Sequence, residues 1–162
     1  MHDQPTISKF MDEKASEELH MLLRGHLYLE WMLAEIIRRK MSNPKSIMAL
    51  NMGFYKLVKL HEAMGLLDQA EVELLLSLNQ LRNRYAHRLG FDLTFDNAFE
   101  LAELAGKARV DFSDETIYLD KSLSEEWYGT YGALHEVIRN TFDHLFWKHH
   151  GSIFTNANTD LV

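Results

Sequence analysis

The sequence contains no cysteine, and proline occurs only twice in 162 residues. The absence of cysteine excludes disulfides, zinc–thiolate sites, iron–sulfur clusters and thiol nucleophiles, and it suits a reducing compartment. The chain also has no run of ~18 apolar residues, and its first ten residues lack the basic start and apolar stretch of a signal peptide. We therefore expect a cytoplasmic protein that does not enter a membrane.

Positive charge is scarce as well. There are 17 lysines and arginines against 24 acidic residues, so the formal net charge is −7. A protein that coats nucleic acid normally carries the opposite sign, so any contact with RNA needs a local basic patch. The composition, 46% hydrophobic and 25% charged, is that of an ordinary globular domain. We expect one domain over residues 1–150 and a flexible tail over residues 151–162.

Leucine, methionine, glutamate and alanine recur at helical spacing along the chain. The pattern predicts an all-α compact bundle of about five helices, two of them long and antiparallel. The expected helices cover residues 16–41, 44–64, 68–87, 97–109 and 122–148. Segment 111–120 is expected to be a loop or a short strand. Capping-box patterns at Asp68/Glu71 and Ser122/Glu125 predict two of the helix starts, and Gly65 favours a helix end.

The third expected helix carries an arginine, an amide and an imidazole near its end, at Arg82, Asn83 and His87. On a helical wheel Asn83 and His87 point away from the leucine stripe of this helix, and Leu76 shares their side. This face is covered either by another helix of the bundle or by a second copy in a two-fold dimer. A solvated histidine that caps the helix end is the simpler interpretation of His87 taken alone.

In this expected all-helical domain, the arginine is followed directly by asparagine and, after three further residues, by histidine. This pattern resembles the signature of the HEPN superfamily (higher eukaryotes and prokaryotes nucleotide-binding domains). The resemblance covers about the first 90 residues. Many members are metal-independent endoribonucleases that act as dimers, as toxins, in defence systems or in RNA processing. The resemblance implies a homodimer, no cofactor, and RNA and an antitoxin or regulatory protein as partners.

The resemblance also implies roles for the three residues. His87 would act as general base or acid at the RNA 2′-hydroxyl, Arg82 would hold the phosphate, and Asn83 would orient the phosphate or His87. Two nearby arginines, Arg84 and Arg88, would guide RNA to the site, although solvated surface arginines are the simpler interpretation.

A second resemblance favours a different function. Lys59-Leu60, then Met64-Gly65-Leu66-Leu67, and an acidic helix that ends in Leu81-Arg82 with a histidine shortly after, are similar to the mannitol operon repressor family. That family implies a regulator of transcription without enzymatic chemistry. The sequence therefore leaves two functions open, an endoribonuclease and a non-catalytic regulatory or protein-interaction module.

Other polar residues give weaker predictions. His26 and Glu30 fall inside the apolar stripe of the first helix, so we expect a buried pair that satisfies its own hydrogen bonds. His144, His149 and His150 match the spacing of no closed metal site, and no metal is expected.

Overall fold

The structure is a computed structural model that describes residues 17–87 and 92–150, without the side chain of residue 150. Within these residues every regular element is a helix, so the all-α prediction is confirmed for them. The helices are α1 Glu17–Lys40, α2 Pro44–Met48, α3 Phe54–Ala63, α4 Gln69–His87, α5 Phe95–Lys107, α6 Thr116–Leu119 and α7 Lys121–His150. The tail expected over residues 151–162 lies outside the described part. None of the described helices is both long and apolar enough to cross a membrane.

The two longest helices, α1 and α7, were expected to be antiparallel, but they run in the same direction. Gly25 of α1 lies against Ile138 of α7. Lys40 at the end of α1 lies close enough to His149 at the end of α7 to lower its pKa.

Helix α4 runs in the opposite direction to α7. Glu71, in the first turn of α4, contacts Lys148 near the end of α7. Two turns further along α4, Asn79 contacts His26 of α1, and the adjacent Gly25 lies against Ile138 in the middle of α7. Advancing along α4 therefore means going back along α7.

The close approach of α1 and α7 depends on a glycine. A Cβ atom on Gly25 would lie 2.5 Å from Cγ2 of Ile138 and 2.8 Å from its Cδ1, which is a steric clash. The leucines and isoleucines of α1 that face inward, among them Leu29, Leu33 and Ile36, are fully buried. They join buried residues of α3, α4, α5, α6 and α7 in one hydrophobic core.

The helix expected over residues 44–64 is wrong as a single element. It is divided into α2 and α3, because Asn51 adopts a left-handed φ of 46° and Gly53 has an extended conformation at the start of α3. Asparagine and glycine tolerate such conformations better than other residues. The predicted end at Gly65 is confirmed: its φ is 69°, and the following N–H of Leu66 bonds the carbonyl of His61.

The starts of two helices were predicted from capping boxes, and one of them differs in the structure. Asp68 and Glu71 form the expected capping box of α4, with N–H to carboxylate distances of 2.9 and 2.7 Å. For α7 the cap is Asp120 instead of Ser122, since its carboxylate accepts the N–H of Leu123.

The segment expected to be a loop or a strand contains the short helix α6. Helix α7 also changes direction at Gly129, which has a φ of 61°.

Candidate functional site

The residues of the predicted motif lie at the end of α4, on the side of the bundle where α1 begins. Nη1 of Arg82 donates a hydrogen bond to Oδ1 of Asn83 at 3.1 Å, and both side chains are half-buried. Arg82 follows the buried Leu75 and Leu78 at intervals of seven and four residues, so it continues the inward-facing stripe of α4. The guanidinium therefore lies at the edge of the core, held against the neighbouring amide.

His87 is the last residue of α4 and is exposed to solvent. It comes one helical turn after Asn83, so the two side chains belong to the same face of the helix. Leu76, the third residue of the expected dimer face, is half-buried and packs against the core of its own chain. The part of this face that is open to a ligand is therefore its Asn83 and His87 end.

His26 of α1 lies beside the motif and was expected to pair with Glu30. The ring is buried, and its Nε2–H donates to Oδ1 of Asn79 at 2.9 Å, so the partner is an amide on α4 instead of Glu30. The ring also stacks on Phe54 with centroids 4.2 Å apart. A hydrogen bond across 53 residues of sequence has no signature in the periodicity of either helix, which is why the sequence pointed to the local pair.

The electrostatic environment of His26 links it to the motif. Burial lowers its pKa, because the charged ring would lose its hydration. The hydrogen bond to Asn79 opposes this effect, and the positive charge of Arg82 adds to it. His26 is therefore held neutral. It supports α4 near Arg82, and its buried ring is not accessible to a substrate.

Tyr85, near the end of α4, contacts the segment that precedes α5. Burial raises the pKa of its phenol, and a hydrogen bond from the backbone of Leu93 opposes the rise. The carboxylates of Glu18 and Asp92 lie close enough to raise it further. The surroundings of the motif thus include acidic groups on α1 and on the segment before α5.

The two arginines expected to guide RNA differ in what can be said of them. Arg84 is exposed, on the side of α4 that faces α5, where it lies near Asn97 and Glu100. Arg88 lies outside the described residues. The structure thus places Arg82 in contact with Asn83 and His87 one turn further along the same helix end, and it directs Arg84 toward α5.

A charged cluster that the sequence did not predict lies at the opposite end of α4. The carboxylate of Glu71 is 3% exposed and accepts hydrogen bonds from Nζ of Lys148 at 2.6 and 2.7 Å and from Nε2 of His144 at 2.8 Å. Burial alone raises the pKa of this carboxyl, but these bonds and the Asp68 N–H outweigh it and lower the pKa to about 2. Only the capping-box pattern marked Glu71 in the sequence, and it gave no sign of partners more than 70 residues away.

Two buried histidines lie next to this cluster. The rings of His61 and His149 are 6.5 Å apart, and neither Nε2 has a hydrogen-bond partner among the described residues. Burial lowers the pKa of both, that of His149 to about 4. The described residues contain no group of three or more histidine and acidic side chains arranged to hold a metal ion.

Comparison of the chain with family models, with curated proteins and with solved structures found no match. Its function is therefore inferred from the residues themselves.

Proposed function

We propose that this protein is a metal-independent endoribonuclease of the HEPN type, with Arg82, Asn83 and His87 as its active-site residues. The observation that carries the proposal is the contact between Arg82 and Asn83, one turn before an exposed histidine at the end of α4. A guanidinium, an amide and an imidazole on one accessible helix end are the groups that cleavage of a phosphodiester without a metal requires.

In the proposed reaction the neighbouring 2′-hydroxyl of the RNA is the nucleophile. His87 removes its proton, the 2′-oxygen bonds to phosphorus, and the bond from phosphorus to the 5′-oxygen breaks. The products are a 2′,3′-cyclic phosphate and a 5′-hydroxyl, which takes up a proton. Arg82 donates hydrogen bonds to the phosphate as negative charge develops, and Asn83, whose carbonyl oxygen faces Arg82, uses its NH₂ group to orient the phosphate.

Proton transfer in this reaction requires both a base and an acid. His26, the other histidine beside the motif, is buried and donates to Asn79, so it is unsuited to either role. A two-fold dimer that joins the exposed ends of α4 supplies the second group as the partner's His87. We therefore propose that the active form is a homodimer with a composite site.

The test is cleavage of a labelled, mixed-sequence RNA by the purified protein in excess chelator, followed by chemical analysis of the fragment ends. We expect cyclic phosphate ends and a rate that the chelator does not change. His87→Ala should lower the rate by about 10²- to 10⁴-fold, the range for loss of a general acid or base. Arg82→Ala should lower it by about 10²- to 10³-fold, the range for loss of one group that stabilises the transition state.

Two matched variants separate these effects from general losses. His20→Ala removes another exposed histidine, on α1, and should leave the rate unchanged. Arg84→Ala removes the same charge as Arg82→Ala from a different face of α4 and should cost far less activity. No cleavage by the wild type, or equal losses in both arginine variants, would contradict the proposal.

An exposed apolar strip on α1 favours a second candidate, a non-catalytic module that binds a protein partner. Leu27 and Trp31, one turn apart, are 61% and 60% exposed, and Tyr28 between them is exposed as well. Clustered exposed aromatic and aliphatic side chains are typical of protein-interaction surfaces. If the wild type cuts no RNA, and Trp31→Ala abolishes capture of a regulatory protein that His87→Ala still captures, this second function replaces the first.

A further inference from the structure

A groove of about 660 Å³ lies between the first half of α1 and the middle of α7. Its α1 residues, among them Met21, Arg24 and Tyr28, lie on the opposite side of that helix from His26 and its contact with Asn79. The volume falls within the range of about 300–1,000 Å³ for sites that bind small molecules. The groove is thus distinct from the Arg82 site, and its size suits a small ligand.

The floor and walls of the groove are apolar and aromatic. Met21 and Phe142 continue the floor on either side of the contact between the two helices, and both are half-buried against the core. The walls carry Tyr28 and Tyr131. The Tyr131 ring stacks on His135 with centroids 6.2 Å apart and an interplanar angle of 20°. A flat aromatic or aliphatic body would bury its surface against these side chains.

The polar groups of the groove are mainly cationic. Arg24 and Arg139 both line it, and neither has an ion pair or hydrogen bond to another described residue. Three other arginines are paired with carboxylates: Arg38 and Arg39 share Glu35, and Arg109 binds Asp68. The acidic residue of the groove is Glu17, at the start of α1. Two guanidiniums without an acidic partner among the described residues, beside an apolar floor, are complementary to an organic anion.

We propose that this groove is a binding site for a small organic anion with an aromatic or apolar body, such as an aromatic carboxylate or sulfonate. The body lies on Met21, Ile138 and Phe142, and the anionic group accepts hydrogen bonds from Arg24 and Arg139. This site does not depend on the proposed ribonuclease activity, because none of its residues belongs to the Arg82 site.

The first experiment is calorimetric titration of the full chain with naphthalene-1-sulfonate and with naphthalene-1-sulfonamide, a neutral molecule of nearly the same shape. We expect one sulfonate per chain, with an affinity at least about tenfold higher than that of the sulfonamide, since a lost charge-assisted hydrogen bond costs roughly this factor or more. Equal affinities, or no binding of the sulfonate, would overturn the proposal.

Variants assign the binding to the groove. Arg24→Ala and Arg139→Ala should each lower the affinity for the sulfonate toward that of the sulfonamide and leave sulfonamide binding unchanged. Tyr28→Ala should weaken both probes, because it removes part of the wall. Lys56→Ala, an exposed lysine on α3, makes the same change in net charge and should bind like the wild type. An equal loss in Lys56→Ala would show a general charge effect and reject the site.

Two further measurements separate the groove from the Arg82 site and from a contact between two copies of the chain. His87→Ala should bind the sulfonate like the wild type, so a protein that cuts no RNA still tests the groove. Light scattering of the same samples reports whether a second copy occupies the groove instead. A dimer that Tyr28→Ala dissociates, together with no sulfonate binding by the wild type, would overturn the proposal in favour of a dimer contact.

Discussion

The two ends of α4 both carry charged residues, but they differ in how those charges are satisfied. In the first turn, the buried carboxylate of Glu71 has hydrogen bonds from Lys148, His144 and the backbone of Asp68. In the last turns, Arg82 is half-buried with a hydrogen bond to its neighbour Asn83, and His87 is exposed. At the first end, the hydrogen-bonding capacity of the Glu71 carboxylate is used within the protein. At the second end, the guanidinium of Arg82 still has N–H groups that a ligand can accept hydrogen bonds from.

A structural polar cluster and a candidate site differ in how much hydrogen-bonding capacity their charged groups have left. A buried charge with a full set of partners contributes to the fold and has no remaining capacity for a substrate. A charged group at the edge of the core, such as Arg82 with one partner among the described residues, retains donors for a phosphate. On this criterion Glu71 is structural and Arg82 is the candidate, although both belong to the same helix.

The largest expected effect on stability comes from a substitution in the buried Glu71 cluster at the start of α4. Glu71→Gln should lower the free energy of unfolding by about 3 kcal/mol, because removing one partner of a buried ion pair leaves the remaining polar groups unpaired. Glu73→Gln, two residues along at an exposed position, makes the same change in charge and should cost less than about 0.5 kcal/mol. Urea unfolding of both variants measures the difference, and equal losses would contradict a structural role for Glu71.

A fall in pH should also lower the stability of the protein, through titratable groups beside the start of α4. The unfolded chain protonates His149 near pH 6.5, whereas the folded protein does so only at about pH 4. Between these values the unfolded state binds more protons, so stability falls as pH falls, by up to about 3 kcal/mol in total. Glu71 extends the loss from about pH 4.5 down to its folded pKa of about 2.

Thermal unfolding measured from pH 7 to pH 4 checks this dependence. His149→Phe removes the titrating ring, so the fall in stability between pH 6.5 and pH 4 should become smaller in that variant. An unchanged pH dependence in His149→Phe would show that other groups cause the loss.

A smaller effect is expected midway along α4, at the contact with α1. Asn79→Ala leaves the Nε2–H group of His26 buried without its acceptor and should cost about 1–2 kcal/mol. The pKa of His26, followed by NMR, should fall as well, since the hydrogen bond to Asn79 raises it. Gln80→Ala, at the next position along the helix and away from His26, serves as the control; if it costs as much as Asn79→Ala, the His26 contact is not the cause.

The smallest effect on stability is expected at the open end. His87→Ala should change the free energy of unfolding by less than about 0.5 kcal/mol, because the side chain is exposed. Chemical unfolding of this variant beside Glu71→Gln compares the two ends of α4 directly. A loss of several kcal/mol in His87→Ala would mean that this histidine is structural, and the proposed catalytic role would then lose its support.

The sequence predicted much of the local structure. Helical periodicity identified the long helices, because burial repeats along one face of each. The capping box at Asp68 and the end at Gly65 were also correct, since both depend on side chains and backbone within a few residues. The break between α2 and α3 was missed because the apolar pattern continues across it, although Asn51 and Gly53 were a readable signal.

Residues that contact each other across the bundle could not be predicted in the same way. The sequence pointed to Glu30 as the partner of His26, since it lies one turn away, and the structure provides Asn79 instead. It gave His144 and His149 no partner, since their spacing matches no closed metal site, whereas in the structure His144 contacts Glu71 and His149 lies beside His61. No local rule relates α4 to residues more than 70 positions further along the chain.

The sequence alone was enough to predict that this protein is helical and that Arg82, Asn83 and His87 lie in the last turns of one helix, because both follow from local periodicity. Only the tertiary structure decided which polar residues are buried and with what partners. It also decided that Arg24 and Arg139 line a common groove, because the packing of α1 against α7 at Gly25 brings distant parts of the chain together.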